Sequence, residues 1–277
     1  LRQTFSGKRI YITGGSSGIG LALAKRLASL GAHILIIARS LQKLEQARTV
    51  IDREKRSCDQ QLFTMDMDVK DSFQVADKMA VAVKDFGAPD ILILSAGINT
   101  AADLFDNTSP QAFEHEIAVN VGGVRNPIHA LIGPLRRSKG HIVIISSAAA
   151  LFGMFGYTTY AASKSALTGF AESLRYELTP AGVSVSIVYP PEVDTPMNVK
   201  EAKTLPFQAR AVKNMSGCLS PEFAARQIIT GMLKKKFMII PGRLTRFLYL
   251  LHRLTNGRLT RLVSDAVIKR ATKKGGV

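Results

Sequence analysis

Three observations predict an α/β fold, a doubly wound parallel sheet covered by helices on both faces. Short apolar runs recur at residues 8–13, 33–38, 62–67, 91–94, 141–145 and 183–189, and stretches of helical periodicity separate them. The first run leads at once into T-G-G-S-S-G-I-G, Thr13 to Gly20, a glycine-rich strand-to-helix turn. The fifth run delivers Ser146 and Ser147 at its end, thirteen residues before Tyr160, and Lys164 lies four further on. Strands alternating with helices in this way imply right-handed βαβ units.

The bulk properties set the bounds. The chain has 277 residues, 46% of them hydrophobic, which supports one large buried core. Thirty-seven basic residues against 21 acidic ones give a net charge of +16, favouring an anionic partner such as a phosphate cofactor, nucleic acid or anionic membrane. Cys58 and Cys218 form no C-x-x-C pair, so no disulfide framework is implied. The five histidines share no metal-ligand spacing, and no metal is expected. No run reaches about 18 apolar residues, the length of a spanning helix. The sequence opens on Leu rather than Met, which leaves an upstream anchor open.

In chain order, Lys8 to Thr13 is the first strand, and the helix behind the glycine loop stops at Gly31. Glycines at such a turn let backbone approach a pyrophosphate, and the helix N-terminus offers its free N–H groups. His33 to Ala38 is the second strand. Arg39 follows where an acidic residue would read a ribose 2′-hydroxyl; a cation there suits a 2′-phosphate and favours NADP(H), unless it is a solvated strand-end arginine. A helix from Leu41 to about Lys55 precedes a third strand, Leu62 to Met67, with Asp68 and Val69 beyond it where an adenine would lie.

Asp71 to Phe86 is helical, and Ile91 to Leu94 is a buried strand ending in Ser95, Ala96 and Gly97. A polar loop, Asn99 to Pro110, starts a long helix with Asn120 in its middle, either a helix-distorting residue or a proton-relay partner. Tyr157 to about Leu178 is the helix that carries Tyr160 and Lys164 on one face. A lysine beside a phenol lowers its pKa towards working pH, so the phenol can exchange a proton with a carbonyl oxygen. Ser147 can donate a hydrogen bond to the same oxygen. Val183 to Tyr189 is the sixth strand, and the 196–220 stretch reads as an irregular, mobile segment placed to cover a ligand. Ser220 is a plausible N-cap for the next helix.

The tail changes character. From Lys234 onward, 12 Lys or Arg face one acid, Asp265. Residues 1–235 therefore read as the catalytic domain and 236–277 as a basic amphipathic extension. Leu244, Phe247, Leu248, Leu251 and Leu254 form an apolar stripe, which suits either an anionic membrane interface or packing on the core or a partner subunit.

T-G-x-x-x-G-x-G, the serine thirteen before Y-x-x-x-K, and the helix Asn together resemble the short-chain dehydrogenase/reductase family over about residues 8–230. That resemblance implies a Rossmann-like parallel sheet of about seven strands and a catalytic tetrad of Asn120, Ser147, Tyr160 and Lys164. The implied cofactor is NADPH. Its expected contacts are Gly14, Ser16, Ser17, Gly18, Ile19, Gly20, Arg39, Asp68, Val69, Ser95, Ala96, Gly97, Tyr160, Lys164, Pro190, Val193 and Thr195. Two departures stand out, Ser95 for the usual Asn of N-A-G and Pro191 for the usual Gly after strand six.

Y-P-P-E-V-D-T-P (189–196) and F-G-M-F-G-Y-T-T-Y (152–160) are similar to the 3-ketodihydrosphingosine reductase subfamily. This implies a long-chain amino-ketone substrate and membrane association on the cytosolic face, at the endoplasmic reticulum in a eukaryote or at the inner membrane or in the cytoplasm of a bacterium. Phe152, Met154 and Phe155 are then candidates to line an alkyl exit, and Glu192 and Asp194 to face the substrate ammonium. A homodimer or homotetramer is possible. Another lipophilic carbonyl, steroid or 3-oxoacyl, would use the same tetrad. A dinucleotide-sensing or nucleic-acid-binding role is the non-enzyme alternative; no nucleic-acid motif or aromatic platform appears.

Overall fold

The computed structural model describes residues 2–100, 102–202, 205–213 and 217–275. Its first third runs α1 (Arg2–Phe5), β1 (Arg9–Thr13), α2 (Gly18–Ala28), β2 (His33–Ala38), α3 (Leu41–Asp52), β3 (Leu62–Asp66), α4 (Ser72–Phe86) and β4 (Ile91–Leu94). Next come α5 (Pro110–Ile117), α6 (Gly123–Ser138), β5 (His141–Ile145), α7 (Thr158–Leu178), β6 (Ser184–Val188) and β7 (Glu192–Val193). The chain continues with α8 (Pro196–Glu201), α9 (Phe207–Lys213), β8 (Cys218–Leu219), α10 (Pro221–Leu233), β9 (Met238–Ile239), α11 (Arg243–Leu254) and α12 (Arg258–Gly275).

Seven parallel strands form the main sheet in the order β3-β2-β1-β4-β5-β6-β9. Successive side chains of a strand face opposite sides, so a sheet buried on both faces needs nearly unbroken apolar strands. Strand β1 shows this directly: Ile10 and Ile12 pack with Leu23, Leu27 and Ile228 on one face. Tyr11 between them packs with Met79, Phe86 and Leu92 on the other. The connection that leaves β3 at one edge and returns to β4 beside β1 makes a switch point, where the loops after β1 and β4 part at the carboxyl edge. Ligands of open α/β sheets bind in that crevice.

Three features differ from the sequence reading. The sheet extends to β9, past residue 235, because Met238–Ile239 pairs with Ile187–Val188; two residues are too short a run to show a strand period. The long helix around Asn120 is two helices, α5 and α6, joined by a wide π-type turn, Ala118–Gly122. The 196–220 stretch, expected to be irregular, holds α8, α9 and β8, with β8 pairing β7 as a small second sheet. Residues 203–204 and 214–216 of that stretch lie outside the described ones. Among the histidines, His141 is a core residue bonded to Ser186 Oγ at 2.8 Å, and burial pushes its pKa down to about 4. Ser220 caps α10 by accepting from Phe223 N.

Candidate active site

Strand β5 ends at the sheet's carboxyl edge, so the two serines behind it face the crevice. Ser146 Oγ donates to Lys164 O at 2.9 Å, which ties the strand end to α7. Ser147 is extended and accepts from Ala149 N at 3.2 Å, and its hydroxyl also hydrogen-bonds the Tyr160 phenol. One turn along α7, Lys164 is 4% exposed; its Nζ donates to Ile145 O at 3.2 Å and sits 5.6 Å from the Tyr160 ring centroid.

The π-type turn between α5 and α6 aims Asn120 inward, as such turns often do at functional sites. Asn120 is fully buried. Its Oδ1 accepts from Ile98 N at 2.8 Å, and its Nδ2 donates to Ile98 O and Ser163 Oγ, both at 2.9 Å. Ser163 Oγ in turn donates to Tyr160 O at 2.8 Å. Asn120 thus distorts its helix and also belongs to the frame around the phenol. A side chain at Gly97 would lie 3.1 Å from Asn120 Oδ1 and 3.2 Å from Lys164 Nζ, so the loop after β4 comes this close only because it carries none.

The proton affinities differ from the sequence expectation that lysine lowers the phenol pKa. Burial raises the Tyr160 pKa above the ordinary phenol value, and the Ser147 hydrogen bond only partly offsets this. The Lys164 ammonium lies over the ring and against a carbonyl rather than at the phenol oxygen, and burial lowers its own pKa to about 8. Tyr160 is therefore protonated at neutral pH and suited to giving a proton to a carbonyl oxygen. Glu116, one turn before Asn120, is fully buried; its Oε2 accepts from Thr100 N at 3.0 Å and Thr100 Oγ1 at 2.6 Å, and its charge helps keep Lys164 protonated.

The glycine loop adjoins this cluster. Gly14 has φ +67, and a Cβ there would meet Ala96 N at 2.7 Å, so the loops after β1 and β4 touch through bare backbone. Ser95 N donates to Thr13 O, and Ala96 N to Thr13 Oγ1. Ser16, Ser17, Gly18, Ile19 and Gly20 turn into α2, whose N-cap Ser17 makes no side-chain bond to the helix. The first-turn N–H groups are thereby left for an anionic ligand, and the residues present fit a pyrophosphate. Thr195 packs its methyl against Gly18, while Pro190 and Val193 are buried beside it. Arg39 is exposed at the end of β2, and no carboxylate pairs with it among the described residues. Asp68 accepts from Lys70 N, whereas the Val69 side chain is buried in the core.

A cavity of about 330 Å³ opens from this cluster. Ser147, Tyr160, Ile19, Val193 and Thr195 line its inner end; Phe152, Met154 and Met197 continue it, and Thr245, Leu248, Leu251, Thr260 and Val263 of the last two helices close it. Phe155 is not in this wall and packs instead beside Tyr157, Leu205 and Ala209. The Phe152 ring meets His252 edge-on, with centroids 5.2 Å apart, joining the loop before α7 to α11. The tail's apolar stripe is thus divided. Leu248 and Leu251 face the cavity, while Leu244, Phe247, Leu250 and Leu254 are exposed.

Sequence reasoning missed Tyr157, Glu201 and Lys213, which also line the cavity. Tyr157 donates to Glu201, and Lys213 bridges Glu201 Oε1 at 2.8 Å and Glu192 Oε1 at 3.3 Å. Glu192 is in the wall as expected, already engaged by this lysine; Asp194 is exposed and outside it. No spacing signal marks a lone acid and a lone lysine twelve residues apart in a basic stretch.

Comparison with known proteins agrees with this geometry. The chain matches the family described as short chain dehydrogenase over residues 8–206. It is 34% identical over 233 residues to a 3-ketodihydrosphingosine reductase of Bos taurus, covering 83% of this chain and 70% of that protein. It is 32% identical over 259 residues to a fatty acyl-CoA reductase of Acinetobacter baylyi, covering 90% and 81%. A short chain dehydrogenase/reductase from Burkholderia phymatum, solved in complex with NAD, shares the fold with a TM-score of 0.78 at 23% identity, over 90% of this chain and 94% of that one. The cofactor class is a nicotinamide dinucleotide. With most of its length matched, the chain belongs to the short-chain dehydrogenase family and is an oxidoreductase.

Proposed function

We propose that the chain reduces the ketone of a long-chain 2-amino-3-keto base to the alcohol, as the 3-ketodihydrosphingosine reductases it resembles are named to do, using NADPH. The observation that carries this is the cavity itself, which has Ser147 and Tyr160 at one end and an apolar wall reaching to α11 and α12. When bound, the nicotinamide supplies the hydride. The substrate carbonyl oxygen accepts hydrogen bonds from Ser147 Oγ and Tyr160 Oη, and the Tyr160 proton passes to it as negative charge develops. Lys164 holds its ammonium over the Tyr160 ring and ties α7 to the end of β5 through Ile145 O. Asn120 holds the loop after β4 against Lys164, and the apolar wall excludes water from the reacting carbon.

The related fatty acyl-CoA reductase supports a second reading, in which a long-chain acyl carbonyl without an amine occupies the same cavity. NADPH oxidation with a long-chain 2-amino-3-ketone, a steroid ketone and a long-chain fatty acyl thioester separates the readings. The amino ketone is expected to have the highest kcat/KM; a higher value for either other substrate overturns the assignment.

The glycine loop and the start of α2 hold the pyrophosphate in this reading, and exposed Arg39 holds a 2′-phosphate. Arg39→Ala should weaken NADPH by about tenfold or more and leave NADH little changed, the loss expected for one charge-assisted contact. Equal weakening of both cofactors in a fluorescence titration would reduce Arg39 to a surface charge.

The outer face of α11, with exposed Leu244, Phe247, Leu250 and Leu254 among Arg243 and Arg253, suits the interface of an anionic leaflet on the cytosolic side. Among the described residues no helix is long and apolar enough to cross a membrane. Replacing Phe247 and Leu254 by Asp should lower sedimentation with phosphatidylserine vesicles several-fold, and salt should lower it for the unmodified chain. Unchanged sedimentation would leave the face to another chain.

A further inference from the structure

We infer that Glu192, Asn198 and Glu201 form a receptor for a primary ammonium group in the cavity wall, occupied in this structure by the chain's own Lys213. This deepens the proposed reaction and rests on it for the identity of the ligand. Lys213 Nζ lies 2.8 Å from Glu201 Oε1, 3.3 Å from Glu192 Oε1 and 3.1 Å from Asn198 Oδ1. An alkylammonium has three donors and no acceptor, and three converging oxygens match that requirement.

The receptor is built rather than incidental. Glu201 is 9% exposed and Lys213 8%, so these charges meet in a largely dehydrated wall. Glu201 is further held by the Tyr157 hydroxyl and by Asn99 Nδ2, 3.1 Å from its Oε2. Carboxylates converging in an apolar cavity require a cation, since desolvation otherwise costs several kcal/mol per ion. The place is right for an α-amino ketone: the Tyr157 ring is edge-on to the Tyr160 ring with centroids 6.2 Å apart. The Tyr157 hydroxyl reaches Glu201, so Tyr157 links the Tyr160 end of the cavity to the acids, and all four side chains line the same wall. Lysine is a compact charge on a flexible four-carbon stem, so its head can withdraw when the substrate ammonium takes its position.

The test compares kcat/KM for a long-chain 2-amino-3-ketone with that for the 3-ketone of equal length lacking the amine, at pH 7. The unmodified enzyme should prefer the amine by about tenfold or more. Glu201→Gln, which keeps the shape and the Tyr157 contact, should lower that preference about tenfold, whatever happens to the common rate. Lys213→Met, which removes the competing ammonium, should raise it several-fold. An unchanged preference in Glu201→Gln overturns the receptor, and a lowered one in Lys213→Met overturns Lys213 as its occupant. If Glu201→Gln does not fold, a preference near one in the unmodified enzyme overturns the receptor by itself. An enzyme that reduces neither ketone removes the proposed reaction, and thermal shift then tests the receptor directly: a long-chain primary amine must stabilise the dinucleotide-bound protein more than the alcohol of equal length, and an equal shift overturns it.

Discussion

Tyr160→Phe is expected to lower kcat for ketone reduction by about a hundred- to ten-thousand-fold, the range over which a positioned general acid acts. The substitution removes one oxygen and leaves the ring where it packs, edge-on to Tyr157 and beneath the Lys164 ammonium. The lost atom is the one that hydrogen-bonds Ser147 and that burial keeps protonated. Dinucleotide affinity should stay nearly intact, because the glycine loop, the α2 N-terminus and Lys164 are all retained. Steady-state NADPH oxidation and fluorescence titration of NADPH measure the two effects separately. Normal turnover in the variant would remove Tyr160 as the proton donor; equal loss of turnover and cofactor binding would mean that the ring holds the site together.

Catalytic efficiency should rise steeply with the alkyl length of the ketone. Each buried methylene contributes about 0.8 kcal/mol, or about fourfold in kcat/KM, so six added carbons are worth about three-thousand-fold. The wall that receives them is formed by Phe152 and Met154 on one side and Leu248, Leu251 and Val263 on the other. Efficiency should level off once the chain outruns these side chains and meets solvent or lipid. A series of 3-ketones differing only in alkyl length measures the slope. A flat series would mean that the alkyl chain does not enter this cavity, and the sphingoid reading would lose its support.

The parts of the site carried by contiguous residues are legible in the amino-acid order. The glycine loop declares itself because strand, turn and helix must follow one another within a dozen residues to cradle a phosphate. Tyr160 and Lys164 declare themselves because four residues make one helical turn. Strands β2, β4 and β5 have the expected bounds, His33–Ala38, Ile91–Leu94 and His141–Ile145, since a sheet buried on both faces admits only apolar runs. β9 stayed hidden because two residues of strand are recognised only by the neighbour they pair with.

Local spacing was thus enough to specify the parallel sheet, the glycine turn between β1 and α2, and the placing of Tyr160 and Lys164 one helical turn apart, because each depends on one stretch of chain. How those groups titrate was settled by tertiary packing. Dehydration by elements far apart in sequence raises the Tyr160 pKa and brings Lys164 down to about 8, against the simple expectation from their pairing. The same holds for the Glu192–Lys213–Glu201 contact, which joins β7, α8 and α9, and for α11, whose apolar stripe is partly in the cavity wall and partly exposed. A periodic pattern states that a helix has an apolar side; what covers that side is settled by the packing of the whole chain.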